Sequence, residues 1–311
     1  MIVAYIEAYR DRFGVEPICA VLSEHGISIA PSTYYARRAC PVTEAELHEA
    51  YLVNALVTLH EENWGVYGVR KLWHAARRAG LEVGRDQVAR LMGIAGITGA
   101  VRGRHTTRTT RREEQATRHP DLVQRGWGTP TGTDQLWVAD FSYVWTLAGF
   151  VYVAFVVDVF SRAILGWRVA TCMRTFLVTD ALRQAVDVRH RAGAFWEHGR
   201  LVHHSDAGSQ YTSLALTAEL AEAGIAGSIG TVGDALDNAL CESTIGLFKT
   251  EAINDGGPSW KNHADVEWQV ARWVHWYNHD RLHSSIGNLP PIEFEQRHRK
   301  ARTLTPNPEV A

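Results

Sequence analysis

The feature that most constrains this chain is a change of hydrophobic period at Gln135. Before it, apolar residues recur at helical spacing. After it come runs rich in Val, Phe, Tyr and Trp, which favour a pleated, buried surface. Leu136 to Trp145 and Phe150 to Phe160 read as two strands joined at Thr146-Leu147-Ala148-Gly149, and Ala163 to Ala170 as a third. The pattern then alternates. A helix over Thr179 to Arg191 precedes a strand over Leu201 to Ser205; a helix over Ser213 to Ala223, ended by Gly224, precedes a strand over Ile225 to Ile229; a long helix over Leu236 to Ile253 follows. Three consecutive strands and then strands alternating with helices describe a mixed α/β sheet. From Trp260 the chain is helical and aromatic, with Trp268, Trp273, Trp276 and Tyr277, before turns at Gly287 and Pro290-Pro291.

The first hundred residues read as helices with short turns. Ile2 to Phe13 and Glu16 to Ser23 precede a segment in which Pro31 suits a first helical turn. Thr43-Glu44-Ala45-Glu46 has the form of a capping box opening a helix to about Glu62. Val69 to Ala79, Gly80, and then Asp86 to Met92 with Gly93 give helix, glycine turn, short helix, the outline of a helix-turn-helix. Arg70, Lys71, Arg77, Arg78, Arg85 and Arg90 make this unit locally basic. From Thr98 to Gly132 the periodicity disappears, as in a linker or an arm that orders on binding.

Net charge is −2, which as an average argues against a nucleic-acid partner. Placement argues the other way. Arg102, Arg104, Arg108, Arg111 and Arg112 follow one another with His105 and no acid, and a second basic knot runs from Arg297 to Arg302. Local cationic segments neutralise phosphates whatever the global sum, although a basic run by itself is more often a solvated linker or tail. The longest apolar run, Phe150 to Val157, is far short of the ~20 residues of a membrane span. The N-terminus lacks the basic region and cleavage site of a secretion signal, and Cys19, Cys40, Cys172 and Cys241 are scattered. A reduced, cytoplasmic protein is expected, with no membrane partner.

Three acids stand in unexpected company. Asp140 lies mid-strand among bulky apolar residues, where a carboxylate is costly unless paired or metal-bound. Asp206 ends the strand before a glycine-containing turn, and Glu242 sits on the long helix. Acids brought together from three elements form an oxygen-rich pocket for hard divalent cations. Asp158 is the rival first carboxylate, but a hairpin turning at Thr146 to Gly149 pairs Asp140 with Phe155 and points Asp158 to the opposite face. Asn238, Glu242 and Lys249 are spaced by four and seven and share a helix face, so Lys249 is a candidate contact to a bound phosphodiester, or else a solvated lysine. His203 and His204 read as strand-end residues before they read as ligands. His204 shares the face of Asp206, and with Asn238 it is a candidate to support the carboxylates.

Thirty-five residues separate Asp206 from Glu242, and the surrounding words are HSDAGSQYTS, GDALDNALCES and GLFKTE. LWVADFSYVW and VVDVFSRAILGW stand upstream, WYNHDRLHSSIGNLPPIEFE downstream, and NWGVYGVRKLW ahead of them all. Together these words, over roughly Asn63 to Glu295, closely resemble the DDE transposases of the insertion-sequence-3 family, relatives of retroviral integrases. The resemblance implies a ribonuclease-H-like mixed-sheet catalytic core preceded by an all-helical helix-turn-helix region. It places the catalytic, metal-binding triad on Asp140, Asp206 and Glu242, holding two Mg²⁺ or Mn²⁺ ions. The implied activity is metal-dependent cleavage and strand transfer at the ends of an insertion sequence. The implied partners are double-stranded DNA at those ends and at the target, further copies of the chain on paired ends, and an upstream-frame segment joined by frameshifting; on DNA the protein would associate with a prokaryotic nucleoid. On this basis the chain divides into an N-terminal helical segment (1–42), a helix-turn-helix region (43–97), a basic linker (98–130), an integrase-like core (131–256) and a helical C-terminal segment (257–311). Candidate DNA contacts are Arg70, Lys71, Arg85, Arg90, the five arginines from Arg102 to Arg112, and Lys249. Ala207 replaces the family's frequent arginine after the second Asp, and Ala235-Leu236 its cysteine-tyrosine; neither touches a carboxylate. A ribonuclease-H-like nuclease would share the sheet without needing the basic arm, and a non-catalytic regulator would not need the triad.

Overall fold

The computed structural model describes residues 2–40, 42–101, 120–123, 130–206, 208, 210–230, 239–253 and 260–304. Helices α1 (Ile2–Phe13), α2 (Val15–Glu24) and α3 (Pro31–Ala39) gather around a small core of Ile6, Ile18, Cys19 and Tyr34. Helix α4 (Glu44–Glu62) opens with the capping box legible in the sequence: Glu46 N–H donates to Thr43 Oγ1 at 3.2 Å, and Thr43 N–H donates to Glu46 Oε2 at 2.9 Å. Helices α5 (Val69–Arg78) and α6 (Arg85–Ala95) follow, packing Leu72, Ala76, Val88 and Leu91 against Leu52 and Leu56 of α4. The expected stop at Gly93 is a correction. The helix runs on to Ala95 and ends at Gly96, whose φ of +69° supplies the left-handed turn that closes it.

The sheet contains β1 (Leu136–Thr146), β2 (Gly149–Asp158), β3 (Ile164–Ala170), β4 (Val202–Ser205) and β5 (Ala226–Ile229), in the order β3-β2-β1-β4-β5. The first three pair antiparallel; β1, β4 and β5 run parallel. This is the ribonuclease-H-like arrangement, and Asp140 pairs with Phe155 as the hairpin length required. Helices α7 (Phe176–Arg191) and α8 (Leu214–Glu222) cover one face through Leu177, Ala181, Leu182, Leu216 and Leu220. Gly166 lets α7 approach: a Cβ there would lie 1.9 Å from the Ala181 carbonyl oxygen. The other face carries α9 (Ala239–Phe248) and α10 (His263–His279), with Phe248 and Trp273 against Phe155.

One segment differs from the sequence expectation. The long helix is α-helical only to Phe248 and widens into a π-helical turn over Lys249–Ile253. The basic knot from Arg297 to Arg302 lies on a helix, α11 (Pro291–Leu304), where Arg297 pairs with Glu293 at 2.6 Å and Arg299 with Glu295 at 3.4 Å.

The helical unit and the sheet share one continuous core. Trp64 stacks on Trp276 with centroids 5.6 Å apart, and Leu282 N–H donates to Tyr67 Oη at 2.7 Å. Arg78 of α5 pairs with Glu293 of α11 at 2.5 Å.

Candidate active site

The last paired residues of β1 and β4 are Ala139 and Ser205. One step further along each strand stand Asp140 and Asp206. Side chains at matched positions on adjacent parallel strands point to the same face, with the strands about 4.8 Å apart. Asp140 Oδ1 accepts from the Phe141 N–H at 2.7 Å, and Asp206 Oδ1 accepts from the Gly208 N–H at 3.1 Å, which fixes the turn after β4. Glu242 lies in the first turn of α9, exposed.

Asp206, Glu242 and Lys249 all act on the charge of Asp140. Burial, then the charge of Asp206, pushes the Asp140 carboxyl well above its ordinary range; the Phe141 N–H opposes the shift, Glu242 adds to it and Lys249 offsets it. Asp206 is raised by burial against the pull of the Gly208 N–H. Like charges crowded in this way are the signature of a site that binds a cation or holds a proton. Among the described residues, no three His, Cys, Asp or Glu side chains converge tightly enough to share one ion's coordination sphere. Lys249, in the π-turn, lies with its ammonium 4.9 Å from the Tyr143 ring centroid; burial lowers its pKa and Asp140 opposes the change. Glu242 and Lys249, one helix turn and more apart, both act on the charge of Asp140.

Asp158 has different surroundings. It is fully buried on the opposite face and accepts from Asp134 N–H (3.0 Å), Ser161 N–H (2.8 Å) and Ser161 Oγ–H (2.7 Å). It is an anchor for the turn between β2 and β3.

The other candidates divide. His204 is buried, with Nδ1 2.8 Å from Ser228 Oγ on β5 and 4.0 Å from Asp121 Oδ1, contacts that tie β4 to its neighbours. Lys71 is a correction to its reading as a DNA contact. Its ammonium packs 5.3 Å from the Tyr67 ring centroid, and burial, then Arg281, lowers its pKa to about 8. Arg70 is exposed. Arg85 pairs with Asp86 at 2.8 Å and Arg90 with Glu49 of α4 at 2.5 Å, both at the surface. Arg102, Arg104, Arg108, Arg111, Arg112 and Asn238 lie outside the described residues. Sequence reasoning missed Tyr211 and Cys241, which sit buried beside the carboxylates. The only available signal for Tyr211 was its place in the turn that Asp206 opens.

A mixed sheet in this strand order, flanked by helices on both faces, is the fold of an integrase core. Comparison with known proteins agrees: models of the integrase core domain match residues 130–235 and 223–291, and a model of an HTH-like domain matches residues 46–105. The putative transposase for insertion sequence element IS986/IS6110 of Mycobacterium tuberculosis is 48% identical over 267 residues, covering 86% of this chain and 95% of that one. The transposase for IS629 of Shigella sonnei is 44% identical over 296 residues, covering 94% of each. The chain belongs to the insertion-sequence transposases of this insertion-sequence-3 type. Among solved structures, a simian T-cell lymphotropic virus intasome aligns over 82% of this chain and 78% of its own, at 15% identity and a TM-score of 0.46. Among the described residues, no helix is long and apolar enough to cross a membrane.

Proposed function

We propose that this transposase cleaves and rejoins DNA at the ends of an insertion sequence, using two Mg²⁺ or Mn²⁺ ions held by Asp140, Asp206 and Glu242. The observation that carries the reading is that Asp140 and Asp206 each stand one residue beyond the last paired residues of β1 and β4, with Glu242 and Lys249 acting on the charge of Asp140. The donor set fits such ions: three oxygen acids, two of them buried enough that burial disfavours their charged forms, with the charge of Asp206 adding to the effect at Asp140. Bound there, the cations would polarise the scissile phosphate and favour deprotonation of the attacking water or 3′-hydroxyl.

The protein's own groups supply placement. The Phe141 and Gly208 N–H groups each hold one carboxylate oxygen, leaving the other free to act as a ligand. Lys249 is placed to contact a phosphate of the strand under attack. Helices α5 and α6, with Arg70, Arg85 and Arg90, and the basic segment from Arg102 to Arg112 would hold duplex DNA at the element's ends. Two ends joined in one event call for at least two copies of the chain.

Asp206→Asn tests the site. Cleavage and joining of end DNA should be abolished while the fold and DNA affinity stay near wild type; retained turnover would overturn the assignment. A substrate that reports joining as well as cleavage separates a transposase from a nuclease built on the same sheet.

A further inference from the structure

Three of the sequence words that the carboxylates leave unused meet at one cavity of about 270 Å³. Lys71 of NWGVYGVRKLW, Arg162 of VVDVFSRAILGW, and Arg281, His283, Ser284 and Ser285 of WYNHDRLHSSIGNLPPIEFE line it, and α9 closes one side. Three of these side chains are strongly basic, and no acid stands among the described residues of the lining. Arg281 and His283 are buried while Ser284 and Ser285 are exposed, so the cavity has a basic floor and a hydroxyl-bearing rim.

Arg281 already has its anion. Its Nε donates to Glu251 Oε2 at 2.8 Å, and its Nη1 lies 3.4 Å from His283 Nδ1. Lys71 and Arg162 have no such partner. The Lys71 ammonium meets the Tyr67 ring, and burial, then the Arg281 charge, lowers its pKa while Glu251 opposes the change. The Nε of Arg162 is buried without a hydrogen-bond partner among the described residues. Burial also lowers the pKa of Arg162, against the pull of Tyr277 and Asp158.

The backbone supplies an independent observation. Arg162 has a φ of +68°, in the left-handed region that residues with side chains rarely occupy. Such strain persists only where the surroundings hold it, and it recurs at ligand clamps. Here the strained residue is the one that lines the cavity with an incompletely bonded guanidinium. Cations taken out of water are costly unless an anion meets them. Ammonium, guanidinium and hydroxyl groups together suit a tetrahedral oxyanion, which accepts several charge-assisted bonds at once. A phosphodiester inside a strand carries a sugar on both sides, which keeps it from the floor; a terminal phosphate can descend to it.

We propose that this cavity binds a terminal phosphate group, as inorganic phosphate or as the end of a small phosphate ester, between Lys71 and Arg162. The bound anion would join α5, the turn after β2 and the segment after α10, the parts that hold the helical unit against the sheet. The inference is independent of the carboxylate site.

The test uses the full chain without divalent metal or DNA. Inorganic phosphate and adenosine monophosphate are titrated calorimetrically into wild type, Lys71→Met and Arg162→Gly, in chloride buffer of matched ionic strength. Melting temperatures are read with and without phosphate. Phosphate should raise the wild-type melting temperature beyond the chloride control, because the ligand binds only the folded chain. Lys71→Met keeps an apolar stem against Tyr67, and Arg162→Gly places at φ +68° the residue that tolerates it. Each should weaken phosphate binding about 10–100-fold, the worth of one charge-assisted bond. The phosphate-free melting temperature of Lys71→Met should be unchanged or raised, since an unpaired, largely buried charge has gone. Tighter binding of the nucleotide than of phosphate would identify an ester as the occupant, and the reverse the free ion. Failure of wild type to bind either, or undiminished affinity in both variants, would overturn the proposal. A lowered phosphate-free melting temperature in Lys71→Met would also overturn it, because the ammonium would then serve the fold alone.

Discussion

Asp140 and Asp158 lie on paired strands but face opposite sides of the sheet, and their surroundings give them different work. Asp158 has its donors from the protein: the Asp134 and Ser161 N–H groups and the Ser161 hydroxyl, with Arg189 nearby. Burial outweighs these and lifts its pKa to about 6. With the folded pKa above the unfolded value, the folded state binds the proton more tightly. The contribution to stability is therefore full below about pH 4 and is lost as pH rises through 6. Asp158→Asn cannot titrate. Relative to it, wild type should lose stability between pH 4 and 7, read as urea midpoints, and a gap independent of pH would refute this account. The parity argument that separated the two acids was available from the sequence because the turn length fixed the register. The hydrogen bonds to Asp158 were not, since Asp134 and Ser161 reach it through loop geometry that no periodicity encodes.

At the scale of elements, the π-turn after α9 is the part the sequence concealed. Helical spacing put Lys249 on the face of Glu242, and its charge does act on Asp140, but the widening of the helix at Lys249 left no mark in the pattern. The turn brings Glu251 to Arg281, whose guanidinium donates to both carboxylate oxygens while lying 5.9 Å and 5.6 Å from the ring centroids of Trp276 and Tyr277. Both partners are buried. Removing one member of a buried ion pair typically costs about 3–5 kcal/mol, so Arg281→Ala should lower stability by that order in chemical denaturation; a loss below about 1 kcal/mol would show the pair to be peripheral. Lys249 is the proposed phosphate contact, its ammonium lying over the Tyr143 ring. Lys249→Ala should weaken end-DNA binding and reduce the log–log salt slope by about 0.9, the value for one lost phosphate contact, and an unchanged slope would remove it from the interface. Lys71 shows why basic residues on amphipathic helices were misread: a long apolar stem and an ammonium that packs on an aromatic face are indistinguishable in sequence from a solvated cation.

At the scale of the whole molecule, the composition shifts that suggest separable parts coexist with a core that crosses them. The word NWGVYGVRKLW meets WYNHDRLHSSIGNLPPIEFE through the Trp64–Trp276 stack and the bond from Leu282 N–H to Tyr67 Oη. A chain beginning at residue 130 would expose Trp276, Tyr277 and Leu282, which are at most 5% exposed in the full chain. It should melt well below the full-length protein and aggregate more readily, and equal melting temperatures would show the helical unit to be an independent appendage. The strands, the mixed sheet and the acid-bearing elements followed from alternation and turn length, which are local. This interlock depends on contacts between residues some two hundred positions apart, and nothing local announces it.

The central claim is that these carboxylates place divalent cations on the scissile phosphate of the element's end. The most direct measurement replaces each non-bridging oxygen of that phosphate in turn by sulfur and follows cleavage in Mg²⁺ and in Mn²⁺. The account predicts a large loss of rate for at least one stereoisomer in Mg²⁺ and its recovery in Mn²⁺, because sulfur is a poor ligand for the harder ion. Equal rates for sulfur and oxygen substrates in Mg²⁺, with both stereoisomers, would contradict it.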